Sequence, residues 1–280
     1  MNSFWGKVLS ELKAQGACVV VEVIKAEGST PREEGTKMLV TPRGISSSIG
    51  GGTLEWLAMA EAQSLLGKPS ARRTITKSLG PDLGQCCGGR VTLLLESFTQ
   101  ADVFEIDSRA SKESDETTHL HLWGAGHVGR ALVLALAPLP FKITWWDVRD
   151  NAFPALVPEN ITCRLGAPQD MQLPGLVLVM THSHTLDFEI VDYALRDKTI
   201  SHVGLIGSET KRARFLKRLA EAGHGDKDIA RLTCPIGNKA ISSKHPAVIA
   251  ASVAVQVLEW QELLRASEIP MAGTVQLVKA

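Results

Sequence analysis

The segment Gly124-Ala125-Gly126-His127-Val128-Gly129 constrains this chain most. It follows the predicted strand His119 to Trp123 and opens the predicted helix His127 to Leu136, where Val128, Ala131, Leu132 and Ala135 share one face. Asp147 ends the next predicted strand, Lys142 to Asp147. Strand, glycine turn, helix and a following acid together meet the conditions of the GxGxxG dinucleotide fingerprint. Glycines let the backbone approach a pyrophosphate, and the free N–H groups of the helix start can bind it. Asp147 would accept hydrogen bonds from ribose hydroxyls and repel a 2′-phosphate. The same turn also suits a sheet that keeps these glycines for packing or holds a different phosphate.

Strand and helix keep alternating beyond this point. Leu176 to Met180 reads as an apolar strand and Leu186 to Arg196 as a helix. His202 to Ile206 follows as a strand, and Ser208 can cap a helix that stops at Gly223. Pro246 starts a last long helix whose Ile249, Val253, Val257, Trp260 and Leu264 face inward. Such alternation predicts a parallel sheet with helices on both faces.

The first hundred residues differ in style. Asn2 to Ala14 reads as a helix and Ala17 to Ala26 as a buried strand. Thr41-Pro42-Arg43-Gly44 turns a hairpin, and Thr53 to Leu66 forms a second helix. Strands over Ala71 to Ser78 and Arg90 to Phe98 flank Gly84-Gln85-Cys86-Cys87-Gly88-Gly89. Between the two regions, residues 99 to 118 are polar and rich in Ser, Asp and Glu, which predicts a linker or long surface connection. The expected architecture is therefore α/β. A mixed α+β N-terminal domain spans 1–100, a linker 101–118, and a Rossmann-like, doubly wound parallel-sheet domain 119–280.

Two adjacent thiols in a glycine frame bring soft sulfur to a place that a ligand can approach closely. Cys86 and Cys87 therefore point to a soft metal, a sulfur atom or a redox equivalent. A tight turn burying two small hydrophobes accounts for the same residues equally well. The five cysteines follow neither a disulfide framework nor paired CxxC zinc spacing, which fits a reducing cytoplasm.

Composition narrows the partners. Thirty basic residues balance thirty acidic ones, leaving no electrostatic footprint for nucleic acid or an anionic membrane. Met1 to Glu11 lacks the apolar core of a signal peptide, and no apolar run is expected to reach membrane-spanning length.

Other residues invite chemistry more weakly. His182 and His184 follow a predicted strand as metal-ligand or acid–base candidates, although Ser183 or Thr185 could simply cap the next helix. His119 and His121 alternate along a strand, as packing residues do. Gly204 to Ser208 with Lys211 and Arg212 could hold a second anionic group. The wider cluster with Arg214, Lys217 and Arg218 reads as a solvated helix face. Glu55 could be a base, a cofactor contact or a favourable charge in a first helical turn.

Taken in order, these motifs resemble the xanthine dehydrogenase accessory protein family (XdhC/CoxI). The resemblance is carried by Gly28-Ser29-Thr30-Pro31-Arg32, Gly35 with Met38-Leu39-Val40, Gly50-Gly51-Gly52 to Glu55, and the glycine-cysteine loop. In the second half it is carried by the GxGxxG turn, Thr181-His182 to Asp187, Gly204 to Ser208 with Lys211-Arg212, and Cys234-Pro235-Ile236-Gly237. One departure follows. Where relatives resemble a second Ile-Gly pair and a PxEIA segment, this chain has Ala240-Ile241-Ser242-Ser243 and Pro246-Ala247-Val248-Ile249-Ala250.

The resemblance implies a cytoplasmic maturation factor rather than an enzyme. Such a factor binds molybdenum cofactor and protects it while a cysteine desulfurase sulfurates it. It then helps insert the cofactor into xanthine dehydrogenase or a related molybdenum hydroxylase. On that basis Cys86 and Cys87 would ligate molybdenum or relay sulfur. Gln85, Gly88, Gly89, Glu55, Gly124, Gly126, His127, Gly129, Asp147, His182 and Ser208 would line the cofactor, with a nucleotide in the Rossmann-like half as an option. Purine catabolism is the implied setting, and a homodimer stays open. The fingerprint taken at face value instead gives an NAD-dependent oxidoreductase, and the vicinal thiols a redox- or nucleotide-sensing module.

Overall fold

A computed structural model describes residues 3–80 and 88–268. The chain divides into two compact units, Met1–Glu116 and Thr117–Ala280.

The first unit runs α1 (Phe4–Gln15), β1 (Ala17–Glu27), β2 (Lys37–Thr41), β3 (Gly44–Ser46), α2 (Gly52–Gln63), β4 (Arg72–Ser78), β5 (Arg90–Thr99) and α3 (Val103–Glu116). Its strands form one antiparallel sheet in the order β3-β2-β1-β5-β4. Strand β1 is apolar at successive positions because both of its faces are covered. Val19, Val21 and Val23 pack with Leu54, Ala58 and Ala62 of α2. Cys18 and Val20 pack with Val8 and Leu12 of α1 and Ile106 of α3.

The segment expected as a linker over 101–118 is largely helix α3, and this corrects the sequence reading. Its polar composition hides one working face. Ile106 is fully buried, and the Arg109 guanidinium lies 4.6 Å from the Trp5 ring centroid. The Glu113 carboxylate accepts hydrogen bonds from the backbone N–H groups of Phe4 (3.1 Å) and Trp5 (2.7 Å). These are two of the orphan donors that any helix start must satisfy, and Ser3 accepts from the Gly6 N–H beside them.

The second unit contains β6 (His119–Trp123), α4 (His127–Leu136), β7 (Lys142–Asp147), β8 (Ile161–Leu165), β9 (Gly175–Val179), α5 (His184–Arg196), β10 (Ile200–Leu205), α6 (Glu209–Glu221), α7 (Asp226–Ile229), β11 (Leu232–Thr233) and α8 (Pro246–Glu268). All six strands are parallel, in the order β11-β10-β9-β6-β7-β8. Alternate residues of the central strands point to opposite faces. Leu120, Leu122 and Trp145 pack beneath α4 and α8, while Trp123, Trp146, Val177 and Val179 pack beneath α5 and α6. The Rossmann-like class expected from the sequence is the one observed.

One further expectation is corrected. Pro246–Ala266 of α8 is long and apolar enough to cross a membrane. Gln256 and Glu259 interrupt it, so it does not read as a continuous apolar run. Its stripe Ala250, Val253, Ala254, Val257 and Trp260 is buried in the core of the unit.

Candidate functional site

In the second unit, β6 lies between β7 and β9, so the strand order reverses at its carboxyl end. Open α/β sheets bind ligands at such a switch point. The three fingerprint glycines divide the work there. Gly124 has φ +110°, and a Cβ would lie 2.3 Å from the Met180 carbonyl oxygen. A Cβ on Gly129 would lie 1.9 Å from the Gly124 carbonyl oxygen. Both glycines therefore serve close backbone packing. A Cβ on Gly126 would meet nothing within 4 Å, and both Gly126 and His127 are exposed. Gly126 is thus where a ligand could reach the backbone.

Asp147 ends β7 beside this turn and is 4% exposed. One carboxylate oxygen accepts from the Ala125 N–H (2.7 Å) and from Arg149 Nη2 (2.8 Å). The other accepts from the Arg149 N–H (3.0 Å) and Nε (2.9 Å). Burial alone would raise the Asp147 pKa, but these bonds and the Arg149 charge outweigh it and lower it to about 2. A carboxylate offers about four acceptor positions, and all are filled. A ribose could reach Asp147 only by displacing Arg149.

Thr181 to Asp187 and Ile206 to Lys211 form the neighbouring loops. Ser183 and Ser208 cap α5 and α6. The buried Asp187 carboxylate accepts from Thr181 Oγ1 (2.7 Å), the Thr181 N–H (3.1 Å) and Lys211 Nζ (2.5 Å). Lys211 also donates to the Ile206 carbonyl (2.9 Å). A Cβ on Gly207 would lie 2.7 Å from Lys211 Cδ, so glycine leaves room for the lysine stem. His182 and His184 are exposed, with no hydrogen bond to the described residues. Ser183 takes the capping role that the sequence left open.

The sequence reading missed the Asp187–Lys211 pair and the Arg149 fork. An acid and a base in the first turns of successive helices signalled the first, and a charge two residues beyond Asp147 the second. His119 and His121 are packing residues. The His121 ring accepts from Trp146 Nε1 (3.1 Å) and bonds the Leu173 carbonyl (3.0 Å), while His119 bonds Thr144 Oγ1 (2.9 Å). Gly204 is a packing glycine too, because a Cβ there would lie 2.2 Å from Ile236 Cδ1.

The first unit gathers its own glycine loops. A Cβ on Gly50 would lie 2.6 Å from Pro31 Cγ, and one on Gly89 would lie 2.3 Å from the Ser29 carbonyl oxygen. The Gly28–Arg32 loop is therefore held between the Gly50 turn and the start of β5. Glu55 pins that turn, accepting from Ser48 Oγ (2.6 Å) and the Gly51 N–H (3.1 Å). It acts here as a positioning group. Gly88 is exposed with open space around it. Gln85, Cys86 and Cys87 lie outside the described residues. Among the described residues no group of three or more His, Cys, Asp or Glu side chains could hold a metal ion. Burial raises the thiol pKa of Cys163 and Cys234 and pushes that of Cys18 up to about 12. These three thiols stay protonated and make poor metal ligands.

A parallel sheet with a glycine turn at its switch point, in a chain that also carries an antiparallel unit of converging glycine loops, defines a two-unit α/β protein with a Rossmann-like second half. Residues 11–76 match the XdhC and CoxI family, and residues 120–257 match the XdhC Rossmann domain. The chain belongs to the XdhC and CoxI family. A crystal structure from Bacillus halodurans, described as a xanthine dehydrogenase, shares this fold. Its TM-score is 0.79 at 20% identity, covering 96% of this chain and 97% of that one. An uncharacterized Escherichia coli K12 protein, YqeB, is 29% identical over 251 residues, or 86% of this chain and 43% of YqeB. The chain thus spans less than half the length of this curated relative.

Proposed function

We propose that this chain is a maturation factor for xanthine dehydrogenase or a related molybdenum hydroxylase. It binds molybdenum cofactor, shields it while a cysteine desulfurase supplies the terminal sulfido ligand, and helps load it into the client enzyme. It turns over no substrate of its own and works in the cytoplasm. The observation that carries this reading is family membership in both units, over residues 11–76 and 120–257. When bound, the cofactor brings a molybdenum centre and a pterin phosphate. Cys86 and Cys87 supply the thiolates, since the other three cysteines are held protonated. The open backbone at Gly126 suits a phosphate.

The strand order and the open Gly126 favour a second reading, an NAD-dependent oxidoreductase. Against it stands Asp147, whose acceptor positions Arg149 and Ala125 already occupy. The deciding experiment mixes anaerobic protein with released molybdenum cofactor, desalts it and assays molybdenum and pterin. Stoichiometric retention, lost in the Cys86→Ser/Cys87→Ser variant, is expected. No retention by the wild type would rule the carrier role out.

A further inference from the structure

A cavity of about 250 Å³ opens where the start of α5 faces α6. Its walls include His184, Ser208, Thr210, Lys211, Arg214 and Arg218, and no carboxylate among the described residues lines it. Lys211, Arg214 and Arg218 recur at helical spacing along one face of α6, so three cations converge on one small space. Two are held in place. Lys211 is anchored by Asp187 and the Ile206 carbonyl, which leaves one of its three N–H donors uncommitted. The Arg218 guanidinium lies 3.7 Å from the Phe188 ring centroid. Arg214 has no anionic partner among the described residues. Lys217, on another face of the same helix, pairs with Glu221 at 3.9 Å.

We propose that this cavity is a binding site for a phosphate or diphosphate group, distinct from the GxGxxG turn. Its chemistry calls for a compact, multiply charged oxyanion, because arginine forks match phosphate oxygens bidentately and the hydroxyls of Ser208 and Thr210 add neutral donors. At about 250 Å³ it falls just below the roughly 300–1,000 Å³ of sites that enclose complete organic ligands, which suits a small oxyanion. The cluster read from sequence as a solvated helix face is thus divided, with Lys211, Arg214 and Arg218 on the cavity and Lys217 paired away from it. This assignment does not rest on the maturation role.

The test is calorimetric titration of the full chain with pyrophosphate. Each lost charge-assisted hydrogen bond should weaken binding about tenfold or more. Arg214→Ala alone should therefore weaken binding at least about tenfold, and Arg214→Ala/Arg218→Ala further. Lys217→Ala removes the same charge from the same helix and should leave affinity unchanged. Arg214 is exposed, so its single variant keeps the test valid should the double variant unfold. Displacement by ADP as strong as by pyrophosphate identifies a free diphosphate ligand, and stronger displacement a nucleotide, both within the assignment. No binding of pyrophosphate by the wild type, or equal weakening by Lys217→Ala and Arg214→Ala, would overturn it.

Discussion

Alanine at Gly124, Gly126 and Gly129 would tell the packing glycines from the ligand glycine. At Gly124 and Gly129 a methyl group would sit 2.3 Å and 1.9 Å from backbone oxygens, which cannot swing aside as a side-chain end can. Each should destabilise the chain by several kcal/mol, at or above the roughly 1–3 kcal/mol typical of overpacking. Gly126→Ala meets open space and should change stability by no more than about 1 kcal/mol, the scale of a helix-cap exchange. It should nonetheless weaken binding of a phosphorylated ligand. Urea denaturation and ligand titration of the three variants check both halves of this expectation. A second residue-scale prediction concerns Asp147. Its folded pKa of about 2 lies below its unfolded value of 3.8, so its contribution is full above pH 3.8 and fades as pH falls toward 2. Arg149→Ala removes two of its four hydrogen bonds, those from Nε and Nη2, together with the guanidinium charge, so the carboxyl pKa should rise and acid unfolding should begin at higher pH. Carboxyl NMR titration of the two proteins reads the shift directly. It also frees Asp147 for a ribose, so tighter NAD binding by this variant would favour the oxidoreductase reading.

At the scale of elements, β6 carries an acid-sensitive device. Burial holds His119 down to about 3, with the neighbouring His121 and Lys142 adding to the effect. Burial likewise lowers His121, although the Leu173 carbonyl and Asp197 oppose it. Both rings are therefore neutral in the folded chain and protonate more readily when it unfolds. Both contributions are complete above about pH 6.5 and fade as pH falls below it, that of His119 as pH nears about 3. Urea midpoints should drop between pH 7 and pH 4, and His119→Gln should flatten that dependence. The loops after β9 and β10 are joined differently, by Asp187 and Lys211. Asp187→Ala leaves a buried lysine unpaired and should cost about 3–5 kcal/mol. Asp187→Ala/Lys211→Met should recover much of that loss, as chemical denaturation of the set would show. Helices α4, α5, α6 and α8 and strands β6, β7, β9 and β10 were legible in sequence because a 3.6-residue period set against short apolar runs has few other readings. β8 was not, because Arg164 and Leu165 are exposed on an edge strand and the alternation breaks down. Helix α3 was missed because Ile106 is its single fully buried apolar residue, and its other ties, through Arg109 and Glu113, are polar. Site residues followed the same rule. The glycine turn announces itself locally, whereas the partners of Asp147 and Asp187 depend on how loops meet.

For the whole molecule, thirty positive and thirty negative charges cancel, so net charge supplies no long-range steering toward the client proposed above. The rate of association with a client enzyme should vary by less than about threefold between low and physiological salt, unlike that of a steered pair. Stopped-flow mixing with the client checks this. Loss of the Arg214 cluster should leave that rate unchanged while removing pyrophosphate binding. The closure of the first unit carries a further meaning. Its opening helix α1 donates two backbone hydrogen bonds to Glu113 of its last helix α3, so the chain enters and leaves that unit at neighbouring points. A unit with adjoining ends is the kind that recombination can splice into a surface loop of another polypeptide without stretching either partner. Its adjoining ends suit the antiparallel half to such transfer, as a cassette that genomes could join to a parallel sheet or carry apart from one.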